Sequence, residues 1–325
     1  PCMKIVRKEV QCVSSANGIV TYEISLWIQN LLQDANGVGQ PIDHVIIYDD
    51  PDTPPAVGPF APEEYDITIN YGGIGQITTQ IDIPVNAIVP EFRGQGKETI
   101  TLHHLLTHTS GLPDMIPENV EYRKEFRPLD EFIKRICTVD LHFTPGTGIS
   151  YQSSGIAMLG EIVKRVTRTP LPEFLHDEIF VPLGMDDTSL GIQYIDESRI
   201  PTILVPEEVI EAEWNWNRAY WRELGAPWGG MFTTVRDLNV FLQTFLNDGS
   251  CGDTRILSPE TVADMIANHT DCMPDLPDEA KQKANWGLGW RINGPTPSYG
   301  GECPPSPQAF GHGGATGTEC WADPE

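Results

Sequence analysis

The spacing of apolar residues changes once along this chain, and that change restricts it to an α+β architecture built in two parts. From Pro1 to about Ile83 the pattern has the two-residue period of strands: Tyr22, Ile24, Leu26 and Ile28 fall on one side, with Thr21, Glu23, Ser25 and Trp27 on the other. Val45 to Tyr48 is a short apolar run, and Tyr65, Ile67, Ile69 and Tyr71 alternate again. Asn17-Gly18, Asn36-Gly37, a Pro-rich stretch from Asp49 to Pro62 and Gly72-Gly73 punctuate these runs. Short strands with turn chemistry at this spacing predict a small antiparallel β-sandwich over residues 1–83.

From Thr99 onward the period becomes helical. Leu102, Leu105 and Leu106 make one apolar face, stopped by the Thr-Ser-Gly-Leu-Pro turn, and Leu129 to Cys137 reads as a second amphipathic helix. Thr234, with Asp237 three residues on, predicts a capping box before a helix buried through Leu238, Phe241, Leu242 and Phe245. Ser258 followed by Pro259 predicts another helix start, with Val262, Met265 and Ile266 on its inner face. Pro295 to Pro307 is a loop.

The stretch from Thr144 to Gly160 carries chemistry as well as structure. A Pro145-Gly146 turn leads into Tyr151-Gln152-Ser153, then into a helix whose apolar residues Ile156, Leu159, Val163 and Val166 recur at helical spacing. A phenol and a hydroxyl two residues apart at a helix start can face one cleft. Such a phenol passes protons to and from a nucleophile if cations lower its pKa. His104 and His108 are four apart, as metal ligands on one helix face are, but no Glu stands in the metalloprotease position. No metal and no cofactor is expected. Ser110 lies in the turn with no base in the local sequence, and it reads as a turn residue rather than a nucleophile.

A formal net charge of -25 argues against nucleic acid and anionic membrane surfaces as partners, because both would repel the chain. No apolar run reaches the roughly 18 residues of a membrane span. The seven cysteines lack metal-ligand spacing; Cys2 with Cys12 and Cys303 with Cys320 are pairs to consider beside the simpler reading as buried free thiols. The chain opens on Pro1 and closes on Glu325, soon after a Gly-His-Gly-Gly run, and both ends are expected to be processed or cut.

Several segments together resemble one family. They are ITLHHLLTHTSGLPD (Ile100 to Asp114), the Tyr151-Gln152-Ser153 element, FVPLGMDDTSLG (Phe180 to Gly191), PWGGMFTTVRDLNVFLQTFLNDG (Pro227 to Gly249), ILSPETVADMIANHT (Ile256 to Thr270), WGLGWRI (Trp286 to Ile292) and FGHGGATGTECWADPE (Phe310 to Glu325). In this order they are similar to the serine β-lactamase-related family, which includes class C β-lactamases, penicillin-binding-protein-like DD-peptidases and esterases. The resemblance runs from about Pro84 to the last residue. It implies a β-lactamase/transpeptidase-like domain over 84–325, with a helical lobe and part of an antiparallel sheet, acting on amide or ester bonds of small molecules or peptides through an acyl-serine. The N-terminal pattern is faintly similar to immunoglobulin-like modules of bacterial surface proteins.

The resemblance implies roles for particular residues. Tyr151 and Ser153 match the Tyr-x-Ser element, with Tyr151 as general base and Ser153 as hydrogen-bond donor. His312-Gly313-Gly314 matches the esterase-like version of the strand on the far wall, with Gly313 and Gly314 lining the substrate. The insert from Ile192 to Trp228 borders the family's cleft, so Trp214, Trp216, Tyr220 and Trp221 are substrate-binding candidates; aromatic packing between lobes would account for them equally well. An extracytoplasmic location, periplasmic or secreted, is implied too. The family's third element, a Ser-x-x-Lys nucleophile, has no counterpart: no serine in the chain has a lysine three positions later. The domain is therefore expected to be incomplete and catalytically compromised, its remaining strand showing unpaired edges and an uncovered apolar face. The alternative is a binding or display protein, or a gene fragment, in which the β-sandwich is the working part.

Overall fold

A computed structural model describes the strands at 3–16, 19–30 and 65–68, and residues 82–294 and 306–325. The chain divides into two compact units, Pro1–Thr79 and Gln80–Glu325. In the first, β1 (Met3–Ala16), β2 (Ile19–Asn30) and β3 (Tyr65–Thr68) form an antiparallel sheet in the order β1-β2-β3. The β1–β2 register runs from Met3↔Asn30 to Ala16↔Ile19, a closing pair that brackets Asn17-Gly18. Irregularities between Ile5 and Arg7 and between Cys12 and Ser14 mark bulges in β1. The second layer expected of a sandwich, including Val45 to Tyr48, lies outside the described residues.

The second unit mixes helices with small antiparallel sheets. Its first part is helical: α1 (Val85–Ile88), α2 (Leu102–Leu106), α3 (Asn119–Lys124), α4 (Leu129–Ile136), α5 (Ser153–Thr167) and α6 (Leu171–Leu175), which a π-turn at His176–Phe180 joins to α7 (Val181–Leu183). Then come β4 (Ser189–Leu190), α8 (Ala219–Leu224), β5 (Met231–Phe232) paired with β4, α9 (Val235–Leu246), the β6–β7 hairpin (Ser250–Cys251, Thr254–Arg255), α10 (Pro259–Met265) and α11 (Asp278–Lys283). The chain closes with β8 (Asn285–Trp286), β9 (Arg291–Ile292), β10 (Phe310–Gly313) and β11 (Glu319–Ala322) in one antiparallel sheet ordered β11-β10-β9-β8.

This sheet corrects one expectation. The Gly-His-Gly-Gly strand β10 is paired on both sides, Phe310↔Ile292 with β9 and Phe310↔Ala322 with β11. Its apolar face is covered too, since Phe310, Ile292, Trp290 and Ala322 pack against Phe245 of α9 and Val262 of α10. The strands come from within the matched segments, WGLGWRI folding into the β8–β9 turn. A Cβ at Gly311 would lie 2.3 Å from the Cys320 carbonyl oxygen of β11, so close pairing here requires glycine.

The larger core surrounds α5. Leu105, Phe132, Ile136, Ala157, Met158 and Ile162 are all buried there, with Val85, Val89 and Phe92 from the start of the unit. Apart from the smaller Ala157, each such side chain stabilises the fold by about 1.5–3 kcal/mol relative to exposure. The inner face of α5 differs from the expected one: Ala157, Met158 and Ile162 are buried, whereas Val166 is 65% exposed. The first two turns of α5 are enclosed nearly all round, which removes the contrast that apolar spacing reads. The Thr234 box is one-sided as well. Thr234 Oγ1 accepts the Asp237 N–H, but the Asp237 carboxylate accepts instead from the Asp187 N–H and the Thr188 hydroxyl. Ser258 does cap α10 as expected, accepting from the Thr261 N–H. Cys137, Cys251, Cys272 and Cys320 are free thiols, while Cys2, Cys303 and the side chain of Cys12 lie outside the described residues.

Candidate functional site

Construction of the site begins where α2 ends. Thr101 and His104 cap that helix reciprocally: Thr101 Oγ1 accepts the His104 N–H and His104 Nδ1 accepts the Thr101 N–H. The helix stops at Leu106, and His108 lies beyond it in the left-handed region, φ 58°. His104 and His108 therefore do not share a helix face, and the four-residue spacing that suggested one is broken by the turn. Among the described residues no group of three or more potential metal ligands occurs.

The left-handed turn carries His108 under the strand-like run before α5. Its carbonyl oxygen accepts the Ser150 N–H at 3.0 Å, and its ring Nδ1 accepts the Gln152 N–H at 3.3 Å. The ring is 1% exposed, and its Nε2 has no hydrogen-bond partner. Burial, with smaller contributions from His312 and Arg291, brings its pKa down to about 3. His108 is thus neutral at ordinary pH, with its proton on Nε2.

Asp114 builds the start of α5. Its Oδ1 accepts the Ser153 N–H at 2.8 Å, and its carbonyl oxygen accepts the Ser154 N–H and hydroxyl. This supplies the cap that Gln152, the residue before the helix, does not. Gln152 is wholly buried. Its amide donates to the carbonyls of His104 and Leu105, and its oxygen accepts the Ser110 hydroxyl. Ser110, also fully buried, accepts the Leu112 N–H in turn. It is a tie between the turn and α5.

Tyr151, held between these anchors, remains 41% exposed. Its ring centroid is 4.6 Å from His108, 5.8 Å from His312 on β10 and 6.3 Å from Trp286 on β8. Trp286 also lies 4.2 Å from His108 and 5.7 Å from His312, so four rings from four separate segments meet. Burial, reinforced by the charge of Asp114, raises the Tyr151 phenol above its ordinary value, and the Ser153 hydroxyl offsets this only in part. The direction is opposite to that a phenolate base needs. At a pKa of 10 only about one phenol in a thousand is ionised at pH 7, and here the fraction is smaller. His312 donates from Nδ1 to the Gly313 carbonyl at 2.7 Å, which leaves the lone pair of the neutral ring on Nε2. Gly313 and Gly314 continue past His312 into the β10–β11 turn, where the Gly314 N–H bonds the Thr318 carbonyl at 2.7 Å.

Ser153 is 4% exposed, and a small, largely apolar crevice that it lines with Ile116, Phe132, Ala157 and Trp228 has room for about one water. The aromatic insert is organised around arginines of the α3 region. Arg123 lies between Trp214 and Trp221, 4.8 and 4.4 Å from their ring centres, and donates to the Trp214 carbonyl. Tyr220 donates its hydroxyl to the Arg127 carbonyl and packs edge-on against Phe126. Trp216 is half-buried. The cluster thus brings together Tyr151, Ser153 and His312. To these it adds Asp114 and Trp286, which no local pattern marked, and His108, which the sequence marked only by its spacing from His104; all three stand inside motif segments.

Comparison with known proteins came to the same region. A family model described as Beta-lactamase matches residues 76–325. A protein of Escherichia coli O157:H7 named as a D-alanyl-D-alanine carboxypeptidase is 29% identical over 258 residues, covering 71% of this chain and 55% of its own length. The counterpart from Escherichia coli strain K12 is 29% identical over 269 residues, covering 74% of this chain and 58% of its own. The chain thus spans little more than half the length of these curated relatives. A crystal structure of a family VIII carboxylesterase superposes with a TM-score of 0.60 at 23% identity, over 75% of this chain and 67% of that one. A penicillin-binding protein homologue from Caulobacter crescentus does so with a TM-score of 0.56 at 23% identity, over 75% and 67%. The two structural likenesses establish a common fold.

Proposed function

The chain belongs to the Beta-lactamase family, and from that premise we propose that residues 84–325 form an acyl-transfer site for amide or ester bonds whose covalent step is disabled in this chain. The observation that carries the reading is the convergence of Tyr151, the start of α5 at Ser153, and His312 on β10, with the Tyr151 and His312 rings 5.8 Å apart. In this reading Tyr151 relays a proton between an attacking oxygen and a leaving group. Ser153 hydrogen-bonds the relay, and His312 receives or returns the proton through Nε2. Gly313 and Gly314 allow a substrate close to the β10 backbone, where N–H groups stabilise a developing oxyanion. A cell-wall-type peptide or a β-lactam-like amide is the substrate class this reading implies, and such substrates place the protein outside the cytoplasm.

The missing part is the nucleophile. Without a Ser-x-x-Lys, no lysine stands one helical turn after a serine in the sequence, and the raised pKa of Tyr151 leaves the phenol a poor source of phenolate base at neutral pH. Removing one member of such a unit costs nearly as much rate as removing all of it. The test is intact-mass labelling of the purified chain with an acylating β-lactam and with a fluorophosphonate. We expect no adduct from a sample that is monodisperse and melts cooperatively. A stoichiometric adduct mapped to one serine would overturn the claim that the covalent step is disabled.

A further inference from the structure

Tyr151 is bracketed by two bonds to one residue. The residue before it, Ser150, donates its N–H to the His108 carbonyl, and the residue after it, Gln152, donates its N–H to His108 Nδ1. The His108 ring then lies 4.6 Å below the Tyr151 ring and 4.2 Å from Trp286. Reaching this position requires a left-handed backbone at a residue that is not glycine, and it leaves Nε2–H buried without a hydrogen-bond partner. A Leu or Phe at position 108 would avoid the orphaned donor. It would also lose the acceptor for Gln152.

We propose that His108 is the positioning residue of Tyr151: a neutral imidazole, locked as the Nε2–H tautomer by the Gln152 amide, that fixes the backbone on both sides of Tyr151 and forms the dry floor under its ring. The groups facing this pair are Asp114 and Ser153 from the start of α5, and His312 and Arg291 from the sheet. Burial disfavours the charged form of both rings; the carboxylate of Asp114 adds to this at the phenol, and the Arg291 charge, with any proton that His312 takes up, adds to it at His108. Both rings are thereby kept uncharged. The phenol stays a proton donor, aimed by its backbone anchors toward the face that His312 shares. This rests on the reading of Tyr151 as the proton relay, but it is tested without any turnover.

The first measurement is the titration of the Tyr151 phenol, read at 295 nm as the difference between the chain and its Tyr151→Phe variant, and repeated in His108→Phe and His108→Asn backgrounds. The Phe variant retains a ring but offers no acceptor to Gln152; Asn tolerates the left-handed backbone and can accept that amide. His108→Phe is expected to free the Tyr151 backbone anchors, let water reach the ring and move the Tyr151 midpoint down toward the ordinary value near 10, while His108→Asn moves it less. A purely packing role predicts an unchanged midpoint in folded His108→Phe, and that result overturns the proposal. The second measurement uses the unmodified chain, so it survives a variant that does not fold. Long-range nitrogen-15 spectra, with the His108 ring identified by its proximity to Trp286 protons, should show a protonated Nε2 and a bare Nδ1 from about pH 7 to 5. A proton on Nδ1, or a ring titrating near its ordinary value of about 6.5, overturns it. Failure of either measurement leaves the acylation experiment to decide the hydrolase reading separately.

Discussion

Asp114 influences Tyr151 in two separable ways, through a hydrogen bond and through a charge. Its Oδ1 caps α5 at Ser153, and its negative charge raises the phenol pKa. Asp114→Asn preserves an oxygen for the cap and removes the charge. The expected result is a Tyr151 midpoint that falls while stability changes by only a few tenths of a kcal/mol. Asp114→Ala removes both, and should cost about 1–2 kcal/mol in urea denaturation. An equal loss in the two variants would show that the charge, not the cap, holds the start of α5. At this scale the sequence showed Tyr151, Ser153 and His312 by their motifs. It did not show Asp114 or His108 in their roles, because those depend on hydrogen bonds across 39 and 44 residues of chain.

Elements divide in the same manner. The starts of α9 and α10 were readable because Thr234 and Ser258 each bond an N–H three residues away. The extent of α4 was readable because Phe132, Ile133 and Ile136 repeat on one buried face. The inner face of α5 was not, since tertiary neighbours enclose it; a Cβ on Gly160 would meet Pro227 at 2.8 Å and Leu171 at 3.0 Å. Two substitutions test these packing statements by chemical denaturation. Met158→Ala, at a fully buried position, should cost about 2–5 kcal/mol. Gly311→Ala forces the new methyl against the Cys320 carbonyl and should cost about 1–3 kcal/mol while disturbing the His312 strand. A neutral Gly311→Ala would mean that β10 and β11 are not closely paired.

Over the whole second unit, buried histidines set the response to acid. Burial lowers His103 and His108 to about 3 and His104 to about 4, from an ordinary value near 6.5. His103 is held further down by the neighbouring His269, whose Nδ1 lies 3.1 Å from its Nε2. Each group binds a proton more readily unfolded than folded. Their contribution to stability is therefore complete above about pH 6.5 and is lost as pH falls toward the folded values. Three such sites give a slope of up to about 4 kcal/mol per pH unit. The stability contributed by carboxylates with lowered pKa, such as Glu91 and Glu118, is present above their ordinary value of 4.5 and begins to be lost only below it. Urea midpoints should thus start to fall near pH 6, and His104→Gln should flatten the slope. A flat profile down to about pH 4.5 would show that these imidazoles are not buried in solution.

What the sequence determined by itself is what depends on neighbours along the chain: strand alternation, helix starts, the turn before Tyr151, the family motifs and the missing Ser-x-x-Lys. The tertiary structure alone decided which of those residues meet. It covers and pairs the His312 strand, separates His104 from His108, turns the insert aromatics around Arg123, and keeps the Tyr151 phenol protonated. The physical reason is that burial and charge proximity are properties of position in space. A motif names the side chains, while desolvation by partners far along the chain sets their protonation and therefore their chemistry.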